Sequence, residues 1–267
     1  MKGISLHIGV RQVKSGAYSK NFPTLVGAEE DAQSMYNLAD ERNFESKPPL
    51  LGAKATKDAV TKAISDIATD LPEGGLFLLT YSGHGGSLKN PFNDPNDPLW
   101  QTWCLYDKQL VDKELYKLWS LFKPNTRILV VSDSCHSGSV IKIFQAYASL
   151  FYASQKIRES PGKEKQLLTE TNAEVLAEVN ACVILFASCQ DSQQSKDSDP
   201  GSGSTNSRFT NALLEVWDHG AFNGNHKEFL EAIQTKLKFD NSQVPNYFIT
   251  GKKNPDFFNQ KPFTINS

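Results

Sequence analysis

Residues 76–86 read LFLLTYSGHGG, an apolar run that ends in a polar, glycine-rich turn carrying His84. Residues 128–135 read ILVVSDSC and follow the same pattern, with Cys135 at the end. Short continuous apolar runs bounded by turn residues are typical of strands that are buried on both faces of a sheet. Each predicted strand therefore delivers one reactive side chain, an imidazole or a thiol, at its carboxyl end.

Further strands and helices alternate along the rest of the chain. Additional strands are expected near 3–10, 45–51, 183–188 and 244–250. Helices are expected near 26–42, 57–71, 112–122, 139–158, 208–218 and 226–238. Loops are expected at 86–101 and 190–207, which are rich in Asn, Asp, Ser, Pro, Gln and Gly. The alternation predicts an α/β fold, with a mostly parallel central sheet of about six strands flanked by helices on both faces.

Three of the predicted strands change from apolar to polar at their carboxyl ends. The polar ends are SGH at 82–84, DSC at 133–135 and SCQD at 188–191. In a parallel sheet these ends meet at one edge, which is where open α/β sheets bind their ligands. The pattern alone thus predicts an active site along this edge.

Composition excludes several classes of function. The 267 residues carry a net charge of −2 without a long basic block, so neither nucleic acid nor an anionic membrane is an expected partner. No apolar run approaches the roughly 18 residues of a membrane span. The four cysteines form no C-x-x-C pair, which disfavours a zinc site and predicts reduced thiols and a cytoplasmic location. Three of them, Cys104, Cys182 and Cys189, are assigned to packing.

His84 and Cys135 together predict a nucleophilic centre. A thiol becomes a strong nucleophile as the thiolate, and a neighbouring imidazole is a common way to form one near neutral pH. Glycines flank His84, and the residues around Cys135 are too polar for a core position. We interpret His136 as structural, because the side chain after a nucleophile at a sharp strand exit points elsewhere.

The motifs YSGHGG at 81–86 and DSCHSG at 133–138 resemble those of the caspase-like clan, specifically metacaspases and their prokaryotic relatives, the orthocaspases. His84 precedes Cys135 by 51 residues, close to the separation of about 50 in caspases. The resemblance covers most of the chain and includes the segments LVGAEEDA, ASCQDSQ and RFT, at 25–32, 187–193 and 208–210.

This resemblance implies a cysteine endopeptidase with a Cys–His dyad. Cys135 would attack the scissile carbonyl, and His84 would activate the thiol and protonate the leaving amine. The backbone N–H groups of Gly85 and Cys135 would hold the oxyanion.

The resemblance also implies an acidic primary specificity pocket. Its residues map onto Asp31 and Asp133, with Ser82 nearby, and Asp191 is a further substrate-binding candidate. Carboxylates suit a guanidinium through bidentate charge-assisted bonds, and they would repel an Asp side chain. The expected substrates are therefore proteins or peptides with Arg or Lys before the scissile bond.

A required cofactor is not expected, and no metal is assigned to the site. Many metacaspases bind calcium through an acidic cluster after the His motif, and calcium usually needs several carboxylates among its six to eight oxygens. Gln101 and Thr102 stand where relatives often carry an acidic pair, so calcium remains a less favoured alternative. Its candidate ligands here are Asn93, Asp94, Asn96 and Asp97.

Residues 153–180 are expected to link a large-subunit-like part, 1–152, to a small-subunit-like part, 181–267, within a single caspase-like domain, 1–267. Exposed polar loops are where proteolytic nicking concentrates. We expect maturation by self-cleavage or by an upstream activating protease, with a purely connecting linker as the alternative. The expected cleavage sites are the peptide bonds that follow the basic residues of this segment, Lys156, Arg158, Lys163 and Lys165.

Two other classes of function remain as alternatives. A catalytically silent caspase-like scaffold would bind peptides without cutting them. A phosphate-binding module built on the glycine-rich turn at 83–86 is weaker, because neither G-x-x-x-x-G-K-[ST] nor G-x-G-x-x-G follows a strand. Labelling of Cys135 by iodoacetamide, with or without turnover of an Arg peptide, separates these alternatives.

Overall fold

The computed structural model describes residues 1–90, 99–134, 178–188, 205–238 and 244–266. Its strands are β1 (Gly3–Gly9), β2 (Glu45–Ser46), β3 (Leu50–Leu51), β4 (Leu76–Ser82), β5 (Gly85–Lys89), β6 (Leu99–Cys104), β7 (Gln109–Val111), β8 (Arg127–Asp133), β9 (Cys182–Ala187) and β10 (Asn246–Gly251). Its helices are α1 (Ala28–Glu41), α2 (Lys57–Asp70), α3 (Asp112–Trp119), α4 (Arg208–Trp217), α5 (His226–Leu237) and α6 (Pro255–Asn259).

The central sheet has seven strands within the described residues, in the order β10-β9-β8-β4-β1-β2, with β3 also paired to β1. All of these pairings are parallel except that of β10 with β9. The predicted strand near 45–51 is divided into β2 and β3, because Pro48 and Pro49 cannot donate a ladder hydrogen bond. That division accounts for seven strands where about six were expected, and the predicted α/β class is confirmed.

Two apolar layers cover the two faces of the sheet. Leu79 and Val130 face the layer built by α2 and α3, whereas Leu78 and Leu129 face the layer built by α1, α4 and α5. Every residue of β4 and β8 is buried, which explains why both strands appear in the sequence as continuous apolar runs. Thr56 caps the start of α2, since its hydroxyl oxygen accepts a hydrogen bond of 3.2 Å from the Ala59 amide.

The register of β4 and β8 determines where the site forms. The two strands pair in parallel from Leu76 opposite Arg127 to Ser82 opposite Asp133. Their carboxyl ends therefore lie side by side at the same edge of the sheet, as predicted. The turn with His84 follows one of these ends, and Ser134 follows the other.

The prediction of a loop at 86–101 is wrong, because part of this segment belongs to a second, smaller sheet. β5 pairs antiparallel with β6, from Gly85 opposite Trp103 to Lys89 opposite Leu99, and β6 pairs with β7. The prediction failed because β5 begins with two glycines and its residues 87–89 are all exposed, on both faces of the ribbon, so its sequence has no continuous apolar run. Residues 91–98 lie outside the described part of the chain.

Several other predictions also fall outside the described residues. They concern the helix near 139–158, the linker up to residue 177, and the side chains of Cys135, His136, Cys189 and Asp191. Among the helices that are described, none has both the length and the apolar character needed to cross a membrane.

Candidate active site

The His84 imidazole is held by the loop between β1 and α1. Its Nε2 lies 2.6 Å from the carbonyl oxygen of Pro23, and its ring packs on Phe22 with the ring centroids 4.7 Å apart. Because a carbonyl oxygen can only accept, Nε2 carries a proton and donates it to Pro23. In the neutral ring Nδ1 is therefore the basic nitrogen.

The backbone of His84 is fixed by Tyr81. The Tyr81 hydroxyl lies 2.7 Å from the His84 carbonyl oxygen and 3.1 Å from that of Cys104. The hydroxyl passes over Gly83, where a Cβ atom would lie 2.6 Å from it. Glycine is thus required in the SGH motif so that the tyrosine can reach the turn that follows.

Gly85 occupies a position in the β5–β6 ribbon that leaves its N–H directed away from β6. Gly85 lies opposite Trp103, and the Cys104 amide donates to the His84 carbonyl at 2.9 Å. This pattern makes Gly85 and Trp103 a non-hydrogen-bonded pair of the antiparallel ladder. The orientation is compatible with the oxyanion role that the sequence predicts for this amide.

Asp31 and Asp133 bring two carboxylates to the edge beside β4. Asp31 projects from the first turn of α1 and is 1% exposed, while Asp133 ends β8 and is 4% exposed. The Ser82 hydroxyl donates to Asp31 Oδ2 at 2.7 Å. The three residues that the sequence assigned to substrate binding within the described chain are thus brought together.

Both carboxylates also receive hydrogen bonds from the start of α4. Asp31 Oδ1 accepts from the Asn206 side-chain amide at 3.0 Å and from the Ser207 backbone N–H at 2.9 Å. Asp133 Oδ2 accepts from the Ser207 hydroxyl and from the Thr210 hydroxyl, the latter at 3.0 Å. Ser207 therefore contacts both carboxylates at once.

Burial first, and the neighbouring Asp133 carboxylate second, raise the pKa of Asp31 from its ordinary value to about 7. Hydrogen bonds from Ser82, Asn206 and Ser207 oppose this rise because they favour the ionised form. Near neutral pH the Asp31 carboxyl group therefore exists in both protonation states. A cation bound beside it would favour the ionised one.

Sequence reasoning missed the groups that support these side chains. Ser207 falls within the loop expected at 190–207, yet it is buried and its hydroxyl oxygen caps α4 by accepting from the Thr210 amide at 3.3 Å. A serine directly before an apolar helical stripe is a recognisable N-cap signal. The carbonyl of Pro23 has no such signal, because every residue has a backbone carbonyl.

The described cysteines and the candidate metal ligands lie apart from this chemistry. Cys104 and Cys182 are buried and form no disulfide, and burial raises the pKa of Cys182 to about 12, so its reactive thiolate form is strongly disfavoured. The part of the chain that the structure describes contains no group of three or more His, Cys, Asp or Glu placed to hold a metal ion. The calcium candidates at 93–97 lie outside it.

The mostly parallel sheet, with an imidazole and two carboxylates at its carboxyl edge, defines an α/β domain with a candidate active site at that edge. A caspase-domain family model matches residues 3–259, and the chain belongs to this family. The resemblance to caspase-like proteins predicted from the sequence is confirmed.

The curated relatives of the chain are metacaspases. Metacaspase-5 of Trypanosoma brucei brucei is 25% identical over 251 residues, which cover 86% of this chain and 46% of the relative. Metacaspase-4 of Arabidopsis thaliana is 26% identical over 153 residues, covering 53% of this chain and 34% of the relative. The chain thus spans less than half the length of these two relatives.

A solved structure matches the whole fold. Protein GSU0716 from Geobacter sulfurreducens superimposes with a TM-score of 0.78 and 34% sequence identity, and the match covers 100% of both chains. The fold is therefore shared along the whole of both chains.

Proposed function

We propose that this protein is a cysteine endopeptidase that cuts proteins after Arg or Lys, with Cys135 as nucleophile and His84 as acid–base catalyst. The observation that carries the proposal is the contact of His84 Nε2 with the Pro23 carbonyl oxygen. That contact fixes the tautomer and leaves Nδ1 as the nitrogen that exchanges a proton, in the turn beside the strand end that precedes Cys135.

The proposed reaction proceeds through a thioester. His84 Nδ1 takes the proton of the Cys135 thiol, and the thiolate sulfur attacks the scissile carbonyl carbon while the C=O electron pair moves to oxygen. The N–H groups of Gly85 and Cys135 stabilise this oxyanion. As the C–N bond breaks, His84 protonates the leaving amine, and it then deprotonates the water that hydrolyses the thioester.

The paired carboxylates support the proposed preference for a basic residue before the scissile bond. Asp31 and Asp133 are buried at the same edge, and they share the donor Ser207. A guanidinium or ammonium group would compensate their charge, whereas an aspartate side chain would add a further negative charge.

A peptide library varied at the residue before the scissile bond tests the function directly. We expect the wild-type protein to cleave after Arg and Lys and to leave peptides with Asp at this position intact. The Cys135→Ala protein serves as the control for contaminating peptidases. Efficient cleavage after Asp would contradict the pocket assignment, and peptide binding with no turnover by wild type would favour a silent scaffold.

We also propose that cleavage within 153–180 matures the enzyme, by its own activity or that of an upstream protease. β8 and β9, on either side of this segment, pair from Arg127 opposite Cys182 to Ser132 opposite Ala187, which supports a cut that leaves the two parts associated. The protein requires no cofactor in this proposal, since nucleophilic and acid–base steps use its own side chains. Its substrates are cytoplasmic proteins.

Intact-mass analysis of the active protein tests this processing. We expect two fragments whose junction follows one of the basic linker residues, and we expect the Cys135→Ala protein to remain one chain if cleavage is autocatalytic. A variant in which Lys156, Arg158, Lys163 and Lys165 are all replaced by Gln should then lose activity. Full activity of an uncut chain, unchanged in this variant, would show that the segment only connects the two parts.

A further inference from the structure

The start of α4 bridges the two carboxylates of the candidate pocket. Ser207 donates its backbone N–H to Asp31 and its hydroxyl to Asp133, and Asn206 adds a side-chain donor to Asp31. We call Asn206 and Ser207 the 206–207 clamp. Through Ser207, the clamp joins the two carboxylates by hydrogen bonds from a single residue.

The residue before α1 also determines where the clamp can lie. A Cβ atom at Gly27 would lie 2.7 Å from the Ser207 backbone nitrogen and 3.0 Å from the Thr205 carbonyl oxygen. Only glycine therefore allows the clamp to approach the start of α1, which carries Asp31. The hydroxyl oxygen of Ser207 also caps α4, so the helix fixes the clamp along its axis.

Two buried carboxylates would otherwise separate. Their like charges repel strongly where water is excluded, and each would turn toward any donor or solvent within reach. Donors from one segment, which the N-cap of α4 holds, oppose this separation by binding both groups at once. A planar guanidinium with its donors in a fixed fork benefits from such a preset pair more than an ammonium, which acts as a compact point charge.

We propose that the 206–207 clamp is a positioning element of the specificity pocket, which holds Asp31 and Asp133 in the arrangement that receives an arginine side chain. This inference rests on the proposed function for its kinetic consequence. The clamp lies in the small-subunit-like part, whereas both carboxylates lie in the large-subunit-like part. The pocket is thus assembled across the two parts of the chain.

Kinetics with paired substrates test the proposal. We expect Ser207→Ala to raise KM for an Arg peptide about tenfold with little change in kcat, because a hydrogen bond to a charged group is lost from the pocket and not from the reacting atoms. KM for the matching Lys peptide should rise less, and Ser207→Thr, which keeps the hydroxyl, should restore the wild-type value. Thr56→Ala is the matched control, since it removes the N-cap of α2 but contacts neither carboxylate.

A second measurement does not depend on activity. In the Cys135→Ala protein, the titration of the Asp31 carboxyl carbon followed by NMR should move to higher pH in Asn206→Ala, because a donor that lowers the Asp31 pKa is removed. Thr56→Ala should leave this titration unchanged.

The outcomes distinguish a failure of the proposed function from a failure of the positioning role of the clamp. If wild type cleaves neither Arg nor Lys peptides, the proposed function fails, and the Asp31 titration alone decides whether the clamp acts on the carboxylates. If Ser207→Ala does not fold, Asn206→Ala takes its place in the kinetics, because it removes the other side-chain donor of the clamp, the one on Asp31. Clamp variants that match Thr56→Ala in KM or in the Asp31 titration would overturn the inference.

Discussion

The His84→Ala protein is expected to hydrolyse Arg peptides about 1000-fold more slowly than wild type while remaining folded. Turnover falls because the substitution removes both the base that forms the thiolate and the acid that protonates the leaving amine. The fold should persist, since the contact that Tyr81 makes with this turn uses the His84 backbone carbonyl oxygen, which alanine retains. Initial rates together with a circular dichroism spectrum check both parts.

Two neighbouring variants complete this test. Cys135→Ala should have no turnover above background, whereas His136→Ala should retain measurable activity if it folds. An active His84→Ala protein beside a folded but inactive His136→Ala protein would reverse the assignment of the catalytic histidine.

The Asp31→Asn protein is expected to lose about a hundredfold in kcat/KM toward Arg peptides and yet to gain stability. Asparagine can keep each hydrogen bond of Asp31: its oxygen accepts from Asn206 and Ser207, and its amide donates to the Ser82 hydroxyl oxygen. Only the negative charge disappears. Activity falls because the pocket then offers a cation one carboxylate in place of two.

The sign of the stability change follows from the pKa of Asp31. Its folded-state pKa, about 7, lies above the ordinary value of 3.8, so between these values the folded protein holds a proton that the unfolded chain has released. The stability of wild type therefore declines across this range as the pH rises, through the titration of this group. The side-chain amide of the Asp31→Asn protein does not titrate, so this decline is absent from the variant.

Melting temperatures of both proteins at pH 4, 5, 6, 7 and 8 measure the effect. The melting temperature of Asp31→Asn should exceed that of wild type by a difference that grows between about pH 4 and pH 7 and then levels off. Asp40→Asn, on an exposed part of α1, controls for the loss of a surface charge. A constant difference across the whole series would show that the Asp31 carboxyl group is not perturbed by its surroundings.

Those elements whose burial is visible in their residue types could be predicted from the sequence. β4 was predicted at its observed end because every one of its residues is buried, and the parallel order then placed Ser82 beside Asp133. The β5–β6 ribbon was missed because β5, with two glycines followed by three exposed residues, carries no apolar run. Hydrogen bonds that cross large distances in the chain, such as that from Ser207 to Asp31, have no local pattern to reveal them.

The pairing of β8 with β9 also bears on what happens after the proposed cut. Neither fragment alone could satisfy the ladder that runs from Arg127 opposite Cys182 to Ser132 opposite Ala187. On dissociation each fragment would present an apolar sheet edge, and such edges template aggregation. A matured molecule that came apart would thus be removed by precipitation or degradation instead of reassembling, so that the lifetime of the activity would be set by the rate at which two fragments separate.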